Sequence, residues 1–120
     1  MSLTLYGLSK CDTCQKARNW LTRFGIEHSF VDYREHPIPA ATLKEWAVQL
    51  GGFEKLVNRA SMTWRNLPDN RKLPGTPAEW TLLIKEYPAL VKRPVAVDDA
   101  GTVGVGFTDK TYKLRFAKQG

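Results

Sequence analysis

Residues 3–20, L-T-L-Y-G-L-S-K-C-D-T-C-Q-K-A-R-N-W, restrict this chain more than any other stretch. Leu3 and Leu5 alternate with Thr4 and Tyr6, the period of a half-buried strand, and Gly7 breaks the run. A short loop follows, and helix-forming sequence begins at Asp12. Cys11 therefore stands where a strand hands over to a helix N-terminus. Unpaired backbone N–H groups and the positive end of the helix dipole favour an anion at such a place. Thiolate is the nucleophilic form of cysteine, so this position favours the reactive species. Cys14 follows after about one helical turn, within reach of Cys11. A C-x-x-C at a strand-to-helix junction points to thiol–disulfide chemistry.

Two other uses of the pair need weighing. A zinc site fails for lack of ligands: the chain has no further cysteine, and His28 and His36 lie across a strand-like segment. No metal and no bound cofactor are therefore expected. Burial as a small hydrophobe stays open for Cys14, because Cys14, Ala17, Leu21 and Phe24 share one helical stripe. Lys10 would favour a Cys11 thiolate, while Asp12 would oppose it.

Downstream, Asp12 to Phe24 reads as an amphipathic helix stopped by Gly25. His28 to Tyr33 reads as a second strand, which makes a βαβ unit with parallel strands. Two prolines set a connector at 34–39. Leu43, Trp46, Ala47 and Leu50 give the apolar face of a helix ended by Gly51-Gly52. Phe53 to Asn58 reads as a short helical turn, and Ala60 to Lys72 as loop or short helix. Thr76-Pro77-Ala78-Glu79 carries an N-cap, a proline at the first helical position and a capping-box glutamate. Trp80, Leu83, Ile84 and Tyr87 are that helix's apolar face, and Pro88 ends it. The four tryptophans fall mainly on these helices and read as core. Pro94 to Val97 and Thr102 to Val105 form a hairpin about Asp98–Gly101. Thr108 is placed to cap a last helix bearing Tyr112 and Phe116. The order is βαβ, helical insertion, ββα: an α/β chain with a thioredoxin-like mixed four-stranded sheet. The expected organisation is one domain over 1–120, with the insertion at approximately 38–90 between strands 2 and 3.

Size and composition narrow the setting. A chain of 120 residues can bury roughly two-thirds of its unfolded surface without staples. Two cysteines are too few for a secreted disulfide framework. No run of about 18 apolar residues exists to span a membrane, and Met1 leads straight into the first strand without a basic-then-apolar leader. The expected location is the cytoplasm, where an exposed C-x-x-C is catalytic or redox-sensing. The net charge of +6 suits an anionic partner: an oxyanion, a carboxylate-bearing thiol such as glutathione, or nucleic acid. The basic residues are scattered, with no aromatic RNA-binding signature and no basic helix stripe, which ranks nucleic acid low.

A thiol that handles glutathione or an oxyanion needs fixed positive charge, and guanidinium holds such groups with two parallel hydrogen bonds. Arg93 is the leading local candidate, because it precedes Pro94 at the opening of a sheet strand. In thioredoxin-like folds a cis-proline at that junction lies against the active cysteine. A plain strand entry is the alternative for the Arg93-Pro94 pair.

Five segments taken together resemble one family: Y-G-L-S-K-C-D-T-C-Q-K-A-R-N-W-L, V-D-Y-R, N-R-A-S-M-T-W-R-N-L, V-K-R-P-V and V-G-F-T-D-K-T-Y, in this order, are similar to the arsenate-reductase-like family of the ArsC, Spx and YffB type. The C-D-T, T-W-R-N-L, K-R-P and G-F-x-D-x-x-Y pieces are most like the YffB branch. The resemblance implies a thioredoxin-like fold with its nucleophilic cysteine at Cys11. Arsenate reductases of this type add three arginines that hold the oxyanion. Two would match Arg59 and Arg93, and the third would fall at Gly106, which has no side chain. YffB-like members imply a glutathione-dependent thiol reductase, in which Cys11 forms a mixed disulfide resolved by glutathione or by Cys14. Glutathione would then be a co-substrate held by Arg59, Arg93, Pro94 and Lys10, beside a small thiol, disulfide or oxyanion substrate.

The rival reading is a redox-sensing transcription regulator of the Spx type, which binds the RNA polymerase α subunit. Cys14 matches the C-x-x-C of those regulators. The end of the chain soon after the last helix speaks against it, because Spx-like proteins are expected to run on further. Arsenate reduction is the third reading.

Overall fold

The computed structural model describes residues 2–116 of the chain. These form two compact units, one of residues 2–32 with 93–116 and the other Tyr33–Lys92.

The first unit is built on a four-stranded sheet. Strand β1 (Leu3–Gly7) leads to helix α1 (Asp12–Arg23) and strand β2 (Ser29–Asp32). Strands β3 (Val95–Asp98) and β4 (Val103–Val105) follow later in sequence, then helix α6 (Asp109–Phe116). Sheet order is β2-β1-β3-β4: β1 runs parallel to β2 and antiparallel to β3, and β3 is antiparallel to β4. This is the thioredoxin-like mixed sheet. Leu5 sits opposite Phe30 on one side and Ala96 on the other, so β1 is one of the two inner strands, with β3 the other. Its alternation holds, with Leu3, Leu5 and Gly7 buried and Thr4 and Tyr6 half-buried.

Helix α1 ends as a Schellman motif. Gly25 takes φ +72°, its N–H donates to the Thr22 carbonyl at 3.1 Å, and the Ile26 N–H reaches the Leu21 carbonyl at 2.9 Å. The buried stripe of α1 is Cys14, Ala17, Trp20 and Leu21. Phe24, expected on that stripe, is instead 49% exposed. It lies past the last helical turn, where its ring leans on Trp20 at 4.3 Å between centroids. Ala17, Trp20 and Leu21 pack with Leu3, Leu5, Ala96 and Tyr112 as the core of this unit. Removing one such leucine side chain costs about 2–5 kcal/mol.

Both hairpin strands start one residue later than expected, β3 at Val95 rather than Pro94 and β4 at Val103 rather than Thr102. Its turn is held by Asp98, whose Oδ1 accepts from the Ala100 and Thr102 N–H groups at 3.0 and 2.9 Å. Arg115 ties α6 to the same turn: it donates to the Ala96 and Thr102 carbonyls and pairs with Asp98 at 3.7 Å. Thr108 caps α6, its Oγ1 accepting from the Thr111 N–H at 3.0 Å.

The second unit, Tyr33–Lys92, is helical: α2 (Ala40–Leu50), α3 (Phe53–Leu56), α4 (Met62–Arg65) and α5 (Pro77–Glu86), with single 3₁₀ turns at Asp69–Arg71 and Pro88–Leu90. Thr76 caps α5, its Oγ1 accepting from the Glu79 N–H at 3.1 Å. The Glu79 carboxylate reaches back to the Gly75 N–H at 2.7 Å, one residue earlier than a standard capping box. Phe53, Trp80 and Trp64 stack in a column, with Trp80 between the other two. An antiparallel bridge between Val57 and Val91 closes the unit. Tyr33, expected to end the second strand, is buried here, and its hydroxyl donates to the Val91 carbonyl at 2.8 Å. Among the described residues no helix is long and apolar enough to cross a membrane.

Candidate active site

Cys11 is the N-cap residue of α1, with extended backbone (φ −93°, ψ 125°). Its carbonyl accepts the first helical bond, from the Gln15 N–H at 3.0 Å. The preceding loop is fixed from a distance: the Ser9 N–H and Oγ both donate to Asp32 Oδ2, at 3.0 and 2.7 Å. Asp32 ends β2, so the parallel strand pair itself anchors the loop that carries the cysteine.

Cys11 is half-buried. Burial pushes the Cys11 thiol up, yet the groups around it win and hold it below the usual cysteine value. In order of effect these are the Cys14 backbone N–H, the Arg93 guanidinium, the Cys14 thiol and the Thr13 N–H. No side-chain cap bond of regular geometry closes this helix end. The two N–H groups act on the sulfur as oriented dipoles, the arrangement that favours thiolate at a helix N-terminus.

Cys14 has the opposite character. It is 1% exposed, and burial drives its thiol up to about 11. The Leu8 N–H lowers it, Cys11 raises it through a hydrogen bond and through charge, and Arg93 lowers it. The two neighbouring cysteines are thereby shifted in opposite directions, Cys11 below the ordinary value and Cys14 above it, so Cys11 is the first of the pair to ionise and Cys14 the one that donates. Gly7 makes room for the second: a Cβ there would collide with Cys14 Sγ.

The Arg93–Pro94 peptide bond is cis, and the Gly106 N–H donates to the Pro94 carbonyl at 2.9 Å. Arg93 and Cys14 both act on the Cys11 sulfur. Lys10 is exposed on the loop before α1, and Asp12 is exposed in its first turn. Arg59 belongs to the Tyr33–Lys92 unit, exposed on the turn after Val57. Gly106 has φ +80°, a backbone that L side chains rarely adopt. Sequence reasoning missed Ser9–Asp32 and the Gly7 contact, which join residues without any shared local pattern. Among the described residues no group of three or more histidine, cysteine or acidic side chains is gathered to hold a metal.

The chain matches the ArsC family over residues 6–114. It belongs to that family. A solved structure described as YffB (PA3664) protein superposes with a TM-score of 0.86 at 33% identity, covering 96% of this chain and 99% of that one. An arsenate reductase (ArsC) related protein from Brucella melitensis gives 0.76 at 38% identity, covering 98% and 97%. Among relatives, an uncharacterised protein of Haemophilus influenzae is 37% identical, over 96% of this chain and 99% of its own length. The global transcriptional regulator Spx of Listeria innocua is 27% identical, over 98% of this chain and 97% of its own. Since the match spans nearly all of that regulator, a longer C-terminal run does not separate the two. The ArsC-family chain is thus a thiol-redox fold of the arsenate-reductase and Spx kind.

Proposed function

We propose that this ArsC-family protein is a glutathione-dependent thiol–disulfide reductase. The observation that carries the reading is the split thiol pair: Cys11 held below the usual value beside Arg93, and Cys14 kept protonated. The Cys11 thiolate attacks the glutathione sulfur of a glutathionylated substrate, forming a Cys11–glutathione disulfide and expelling the substrate thiolate. A second glutathione thiolate then attacks the glutathione sulfur of that mixed disulfide. Oxidised glutathione leaves, and Cys11 returns as thiolate. Alternatively Cys14 loses its proton to water and attacks Cys11 Sγ, releasing glutathione thiolate and leaving an internal disulfide. In this proposal the glutathione carboxylates are held by Arg93 and Arg59, with Lys10 and the Pro94 backbone completing the site.

The test is mass analysis of the protein after incubation with oxidised glutathione. One adduct on Cys11, absent in Cys11→Ser, supports the reading; an adduct that persists in Cys11→Ser overturns it. Wild-type glutathione affinity in both Arg59→Ala and Arg93→Ala would remove their assigned role.

A second reading is favoured by the contact between the two thiols and by the likeness to Spx. Here a Cys11–Cys14 disulfide would alter a surface that binds the RNA polymerase α subunit. Pull-down with that subunit before and after oxidation separates the two readings: redox-dependent capture without glutathione turnover favours the regulator.

A further inference from the structure

The Tyr33–Lys92 unit contains a cleft of about 670 Å³ lined by α2, α5 and the segment before α2. Clefts of roughly 300–1,000 Å³ are the size that encloses small molecules. Its lining is dominated by apolar side chains, among them Ile38, Leu43, Leu82 and Val91. Leu82 is 58% exposed, so a large apolar side chain faces solvent at this cleft. Pro37, Pro39 and Pro88 fix φ at three positions along its edges, which lowers the conformational freedom there that binding would have to remove.

The polar groups select the class of ligand. The Tyr33 hydroxyl already donates to Val91, and the Thr81 hydroxyl donates to the Ala78 carbonyl at 3.1 Å. Of the thirteen lining residues only Lys85 is charged, and none is acidic. Glu86, the neighbouring acid, is committed to Arg71. Lys85 has no ion-pair partner among the described residues. A single ammonium group on an apolar rim suits one monovalent anion; a phosphate would call for more donors.

We infer that this cleft binds a small amphiphilic carboxylate, its alkyl or aryl body against the apolar lining and its carboxylate paired with Lys85. The ligand is held independently of the thiol chemistry, since no lining residue belongs to the Cys11 site.

Calorimetric titration with hexanoate, octanoate and decanoate, below micelle-forming concentrations, tests this on the whole protein. Affinity rises by about fourfold per buried methylene until the cleft is filled. Octanol and octylamine bind more weakly than octanoate. Lys85→Gln loses about two- to fivefold for octanoate, the range of a solvent-exposed ion pair, and Lys85→Arg retains affinity. Ala40→Trp, at an exposed lining position, abolishes binding while the circular dichroism melt stays near wild type. Cys11→Ser binds as wild type does. The inference is overturned by absence of saturable binding, by octanol binding as tightly as octanoate, or by an Ala40→Trp variant that still binds. It is equally overturned by a dimer in sedimentation that Ala40→Trp dissociates, since a second copy would then occupy the cleft.

Discussion

Replacing Gly7 with alanine should disturb the site through one contact. Gly7 is buried on the inner strand β1, and its backbone is ordinary for any residue, so space alone decides the outcome. The new Cβ would lie far inside van der Waals contact with Cys14 Sγ, whose own residue is 1% exposed and has nowhere to retreat. Overpacking of this kind costs about 1–3 kcal/mol, a sizeable part of a typical 5–15 kcal/mol total. Cys14→Ala alone, the loss of one buried heavy atom, costs about 1 kcal/mol. The double variant relieves the collision. What remains near the Gly7→Ala methyl is Phe30 Cε1 at 3.4 Å and the Cβ at position 14 at 3.6 Å, both tolerable contacts. The double variant should therefore be about as stable as Cys14→Ala, giving a coupling of about 1–3 kcal/mol between the two positions. Urea unfolding followed by tryptophan fluorescence, at constant m, measures each corner of the cycle. Costs that add to within about 0.5 kcal/mol would refute the contact. In the single Gly7→Ala variant the displaced Cys14 thiol also stops donating to Cys11, so Cys11 titrates at higher pH.

Five further outcomes follow. Arg93→Ala removes a charge-assisted hydrogen bond from the Cys11 sulfur, so its alkylation profile moves to higher pH; an unmoved profile contradicts that contact. Cys14 has a folded value near 11 against an ordinary 9.0, so the folded state holds its proton longer than the unfolded chain. Wild-type stability should accordingly fall between pH 9 and 11 more steeply than that of Cys14→Ala, as measured by urea midpoints. Thr76→Ala should lower stability by about 1 kcal/mol through loss of the α5 cap, read from thermal melts. The wild type should not reduce arsenate with glutathione as reductant, because Gly106 offers no third guanidinium; measurable turnover would refute that. Gly106→Arg should cost about 1 kcal/mol because φ there is +80°.

Local chemistry made much of the fold legible. Gly25 marked the end of α1 because only a left-handed residue closes a Schellman motif cheaply. Thr76 and Pro77 announced α5 because a hydroxyl cap and a residue without an N–H both suit a helix start. The strand pattern of Leu3–Gly7 placed Cys11 at the head of α1. Contacts between distant residues were not legible. Ser9 and Asp32 are 23 positions apart, and Tyr33 and Val91 are 58 apart. Arg115, one of eighteen scattered cations in sequence, proves to be a structural tie across the β3–β4 turn. Phe24 had the right spacing for burial but lies beyond the turn where α1 ends. The cleft carried no sequence signal, because its lining comes from apolar residues that read equally well as core.

The central claim is that the thiols of two nearby cysteines are shifted in opposite directions, Cys11 downward and Cys14 upward, so that Cys11 is the one that reacts. Site-resolved mass spectrometry of iodoacetamide labelling across pH measures this for each sulfur separately. Cys11 should be modified first, with a midpoint below that of an ordinary cysteine, while Cys14 stays unlabelled until strongly alkaline pH. Labelling of Cys14 ahead of Cys11, or a Cys11 midpoint at or above that of a free thiol, would contradict the account.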